Sequence, residues 1–121
     1  MLPKALRLTK TKEFERVFRG RNSVRSEGIV VRRKENQFPF SRFAVVVSKK
    51  VSKKAVERNQ IRRFLSEAIR KRISEINNGW DIVIIALPGL SIKTEEEAAR
   101  IAWKAFKKAS LLQPTTSRLN V

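Results

Sequence analysis

Arg58, Arg62 and Arg63 crowd around Asn59 in the stretch KAVERNQIRRFLSEAIRKR, residues 54–72. A guanidinium fork grips phosphate oxygens at two points, and an Asn amide can donate to phosphate or sugar while accepting from a base or a 2′-hydroxyl. On a helix, Asn59, Arg63, Ser66 and Arg70 fall within about 60° of one another, a polar stripe facing away from any core. Arg58 and Arg62 border the apolar stripe, where an arginine lays its methylenes on apolar surface and presents its charge outward. Lys49, Lys50, Lys53 and Lys54 stand just upstream, next to a helix start whose free N–H groups also favour phosphate. A solvated charged face is the ordinary reading of such a run, but here there is little interleaved Glu to support it.

Other chemistry is largely excluded. The 121 residues contain no His and no Cys, which removes the commonest general base, the thiol nucleophile and most transition-metal sites. Asp81 is the only Asp, and its position before an apolar run fits capping or a salt bridge. Glu95-Glu96-Glu97 is the one acidic cluster, and the first turn of a helix explains it. The four Gly are scattered, so no phosphate-cradling loop is present. Net charge is +17, and residues 49–72 carry ten Lys/Arg against two Glu, while residues 73–121 carry six against five acids. One-sided basicity on this scale is the footprint of a nucleic-acid partner. An anionic membrane is the rival polyanion, but no basic segment has an apolar insertion face. Without a signal-like segment, a membrane-length apolar run or cysteine, the chain reads as cytoplasmic.

The elements that must position these groups follow from periodicity. Thr11 can cap a helix over 11–20, with Phe14, Val17 and Phe18 on one face and Gly20 as its stop. Ser23–Arg33, around Ile29-Val30-Val31, reads as one strand, and Arg42–Ser48 as another. A long helix spans about 53–76 with Ser52 as cap, its apolar stripe running from Ile61 through Phe64, Leu65, Ala68 and Ile69 to Ile76. Trp80–Ala86 is a buried strand, and Thr94 opens a capping box for a helix reaching about 112. The order α-β-β-α-β-α predicts an α+β sandwich with helices on one face of a small sheet. Residues 1–112 form a single RNA-binding domain in this reading, and 113–121 a flexible tail.

Phe43-Ala44-Val45-Val46-Val47-Ser48-Lys49-Lys50-Val51, followed by Arg58-Asn59-Gln60-Ile61-Arg62-Arg63, resembles the protein component of bacterial ribonuclease P. Leu8, Phe14, Val17 and Phe18 are similar to that family's first helix, and Asp81–Ala86 to its late strand. The resemblance implies a sheet of about four strands with a left-handed βαβ crossover. It implies a subunit without catalytic residues of its own, in a holoenzyme whose RNA holds most of the Mg²⁺ and removes the 5′ leader of precursor tRNA. The partners implied are ribonuclease P RNA, one to one with a protein that is monomeric alone, and precursor tRNA.

Carried over by position, Lys49, Lys50, Lys53, Lys54, Arg58, Asn59, Arg62, Arg63 and Arg70 would contact RNA. Phe14 and Phe18 would line the leader cleft, with Arg32 near the place of an aromatic that is missing. For either ring, a core-facing helix stripe is the competing reading. Metal sites on the protein are left open. The chain departs from the family pattern at Gln60, Ser52, Ser66 and Leu87, where Arg, Gly, a basic residue and Arg are usual. A structural RNA-binding protein, a DNA-binding module and a self-sufficient nuclease are the rival readings.

Overall fold

The computed structural model describes residues 2–20 and 22–113. The elements are α1 (Thr11–Arg19), β1 (Ser23–Ser26), β2 (Ile29–Glu35), β3 (Arg42–Val46), α2 (Ala55–Lys71), β4 (Trp80–Ala86) and α3 (Glu95–Lys108), with 3-10 turns at Lys4–Leu6 and Ile73–Glu75. The four strands lie in the order β1-β2-β4-β3. β2 runs antiparallel to both β1 and β4, whereas β3 pairs parallel with β4 through the α2 crossover. The fold is α+β, with three helices and a mixed sheet. Apart from Gln113, the expected tail falls outside the described residues.

The period of two along β4 decides the layering. Ile82 and Ile84 join Ile29, Val31 and Phe43 on one face, against Leu65 and Ile69 of α2 and Ile101 and Phe106 of α3. Val83 points the other way and packs with Leu8 and Val17, so α1 covers part of the opposite face. The helices therefore occupy both faces rather than the expected one. β4 sits between two strands and two layers, which is why WDIVIIA is apolar nearly throughout.

The single strand expected over 23–33 is a hairpin. Glu27 (φ +43°) and Gly28 (φ +86°) are both left-handed, the two-residue turn geometry that matches strand twist. A Cβ on Gly28 would stand 2.9 Å from Leu90 Cδ1, so that position excludes side chains on two counts. Helix limits also differ from the periodicity. α2 ends at Lys71, and Ile76 is extended instead of helical, bridging to Leu112. α3 ends at Lys108 because Ser110 turns left-handed (φ +58°) and Leu111 folds back to donate to the Phe106 carbonyl at 2.9 Å. β3 ends at Val46, two residues before Ser48.

The caps differ in detail. Lys10 precedes α1, and the Glu13 carboxylate accepts from the Thr9 and Lys10 N–H groups. Thr94 caps α3 as expected, accepting from Glu97 N–H at 3.1 Å. Ser52 sits two residues before the N-cap of α2, Lys54, and accepts its N–H at 3.2 Å while donating to the Glu57 carboxylate. Among the described residues only Glu27 and Ser110 are non-glycine with positive φ, so the approach to α2 is made without a left-handed residue at Ser52.

Candidate nucleic-acid interface

Among the described residues, the cations of the first half of α2 and the turn before it, Lys54 excepted, have no carboxylate partner. Lys49 and Lys50 are exposed on the turn closed by the Val51 N–H bond to Ser48 O (3.0 Å), and Lys53 is exposed beyond it. Arg58 donates to Ser52 O at 2.9 Å, which fixes its stem and leaves the rest of the fork available. Arg62 donates to Asn59 Oδ1 and, at 3.4 Å, to Val47 O. Arg63 is exposed and engaged by no described group. Lys54 alone of this set lies near a carboxylate, 4.0 Å from Glu57.

Further along the same helix the picture reverses. Arg70 pairs with Glu67 at 2.8 Å, Lys71 with Glu95 at 2.6 Å, and Arg72 with Glu75 at 2.7 Å. The Arg70 hydrogen bond holds the Glu67 carboxyl down at about 2. Arg70 is thus on the expected outward face but outside the cluster of unpaired cations.

The second group converges on the other side of the sheet. Phe14 is half-buried beside Ala44, Val46 and Ile85, and Phe18 is 40% exposed. Neither ring belongs to the buried core, which leaves each a partly open apolar surface. Arg32 Nη2 donates to the carbonyls of Phe18 (2.9 Å) and Gly20 (2.8 Å), and its guanidinium lies 5.3 Å from the Phe18 ring centre. Arg32 therefore caps the C-terminal end of α1, where a cation is favoured, and fixes Phe18.

What holds α1 against the sheet was not legible locally. Asp81 is fully buried and accepts from Arg42 Nε (2.9 Å) and Nη2 (2.7 Å), Arg16 Nη2 (2.9 Å) and Asn36 Nδ2 (2.9 Å). Arg42 also reaches Glu13 on α1. Burial alone would raise the Asp81 pKa, but the bonds from Arg42, Asn36 and Arg16 outweigh it and hold the carboxyl below its ordinary range. The salt bridge expected for Asp81 is thus an anchor joining α1, β3, β4 and the loop after β2.

Between the two groups a hollow of about 380 Å³ lies against the β3 edge, walled by Leu8, Phe14, Asn59, Arg62, Arg63 and Ser66. Gln60 faces elsewhere, lining a smaller recess with Glu57, Ser91 and Lys93.

This geometry can be set beside known proteins. A sequence profile of the Ribonuclease P family matches residues 2–110. The chain belongs to this family. Within the ribonuclease P family it is 34% identical over 118 residues to a Ribonuclease P protein component of Synechocystis sp., covering 97% of this chain and 95% of that one. A Ribonuclease P protein component of Bacillus cereus is 32% identical over 91% of this chain and 96% of its own. Among solved structures, an RNase P protein of Staphylococcus aureus superposes with a TM-score of 0.81 at 29% identity, over 91% of this chain and all of that one. One from Thermotoga maritima gives 0.76 at 28%, over 84% and 96%.

The four positions where the sequence is expected to depart from the ribonuclease P pattern each have a defined place in the structure. Ser52 stabilises the approach to α2, Ser66 is buried against the hollow, and Leu87 donates its N–H to Gly28 O at 2.8 Å behind the hairpin turn. Gln60 is exposed on the flank of α2 away from Arg63.

Proposed function

We propose that this chain is the RNA-binding protein subunit of a ribonuclease P holoenzyme that removes the 5′ leader of precursor tRNA. One observation carries the reading beyond family membership: the unpaired cations at Lys49, Lys50, Lys53, Arg58, Arg62 and Arg63, next to a paired second half of the same helix. Intramolecular pairing is worth little at a surface, but leaving one end of a helix unpaired keeps its phosphate-binding capacity intact for a polyanion. In this reading that surface binds the RNA subunit, with Lys54, Asn59 and Arg70 as outlying contacts. The cleft of Phe14 and Phe18, braced by Arg32, takes the leader by stacking unpaired bases.

Catalysis then belongs to the RNA, which holds most of the Mg²⁺. The protein contributes charge neutralisation and a grip on the leader, one chain per RNA. Among the described residues no group of three or more His, Cys, Asp or Glu could hold a metal ion, and no helix is long and apolar enough to cross a membrane. Reconstitution with a bacterial ribonuclease P RNA at low Mg²⁺ tests the reading. Faster 5′ cleavage of precursor tRNA supports it, whereas cleavage by the protein without RNA, or no effect of adding it, overturns it.

A further inference from the structure

β3 is an edge strand, and its free edge is interrupted in a specific way. The Phe43 carbonyl accepts from Leu8 N–H at 2.8 Å, because residues 7 and 8 lie alongside it as a short parallel bridge. The Val47 carbonyl accepts from Arg62 at 3.4 Å. In a strand, alternate residues direct their backbone groups to the same side, so Val45 also addresses the side away from β4. Its N–H and C=O stand between those two engaged carbonyls, and Val45 lines the 380 Å³ hollow. The walls supply a partly open ring (Phe14), an amide (Asn59) and three guanidinium groups (Arg7, Arg62 and Arg63), and among the described residues no Asp or Glu lines the space.

We propose that this hollow receives one unpaired nucleobase of the bound RNA, held by its Watson–Crick edge on the Val45 backbone, with its 5′ phosphate against Arg63. The inference rests on the RNA-binding reading and adds a distinct pocket to it. Each of the four bases offers an adjacent donor and acceptor on that edge, so one backbone N–H and one C=O can serve any of them. A base already paired has that edge occupied. The pocket therefore selects for an unpaired nucleotide more than for its identity. A volume of this size lies within the usual range for small-molecule sites, and the Phe14 wall offers stacking surface.

Amide NMR of the full chain, titrated with adenosine 5′-monophosphate, inorganic phosphate and a short single-stranded RNA, tests this. The expected result is a saturable shift of the Val45 amide with the nucleotide and with the RNA, and none with phosphate. Ser66→Leu, which fills the hollow without changing charge, should abolish the Val45 shift while the α2 arginine signals still respond to RNA. If RNA moves the α2 signals of the wild-type chain but leaves Val45 unmoved, the pocket is refuted and the RNA-binding reading stands. Should RNA move neither set, both fail. A Val45 shift that phosphate alone reproduces would also refute base recognition.

Discussion

Asp81 shows how much one residue can organise here. A buried carboxylate with four donors is favourable only while all of them remain, and removing its charge strands Arg42 and Arg16 beside an apolar sheet. Asp81→Asn should lower stability by about 3–5 kcal/mol at neutral pH, read from urea unfolding. The pH dependence follows from the lowered native pKa. Its stabilisation is complete above the unfolded value of roughly 4 and is lost as pH falls from there through the native value. The variant should lack part of that acid limb. Part remains because Glu13 is also lowered, first by the Lys10 N–H and then, against its own burial, by Thr9 and Arg42. An acid limb identical in both proteins would remove Asp81 from this role. Phe14 makes a complementary case, since its half-exposure suits a contact more than a core position. One stacked base is worth roughly 1–3 kcal/mol, so Phe14→Ala should weaken precursor tRNA binding by at least about fivefold while leaving mature tRNA unchanged. Equal losses for both would return Phe14 to a purely structural role.

At the scale of elements, the hairpin between β1 and β2 depends on a turn with two left-handed residues. Gly28→Ala would place a methyl group against Leu90 at positive φ, and a loss of roughly 1–3 kcal/mol in thermal or urea unfolding is expected. Unaltered stability would mean that the turn relaxes freely. The same turn marks where local reading stops. α2 and β4 were legible because their apolar residues repeat at 3.6 and at nearly every position, and Thr94 announced α3 by a capping box. Glu27-Gly28 lacks the Asn or Asp that usually signals such a turn, and the constraint on Gly28 comes from Leu90, far along the chain. The stripe of Phe14, Val17 and Phe18 was also visible, yet periodicity names a helix's apolar face without naming the surface it covers. Asp81 is the sharper case, because its partners lie 65, 45 and 39 residues away. The candidate RNA-binding cations could be found from sequence because charge is local. Which of them are already paired could not, since that depends on side-chain reach and on Glu95 from another helix.

For the whole molecule, a net charge of +17 goes with uneven ion pairing. Carboxylates neutralise the second half of α2 and the Glu27 side of α3, where Arg100 and Lys104 share one acid. Among the described residues, six cations without carboxylate partners cluster around the N-terminal end of α2, so binding a polyanion there need break few internal ion pairs. Salt dependence can separate the two halves, since each phosphate contact contributes roughly 0.7–0.9 to the slope of log affinity against log salt. Arg63→Ala, measured on assembly with a bacterial ribonuclease P RNA, should flatten the slope by about one such contact. Arg62→Ala combined with Arg63→Ala should flatten it by up to about two, less whatever Arg62 spends on Val47 and Asn59. Arg70→Ala should change the slope less than Arg63→Ala, because an arginine held by Glu67 must exchange that partner before it can neutralise a phosphate. The reverse order would place the RNA on the C-terminal half of the helix and overturn the assignment of the unpaired cluster as the main contact.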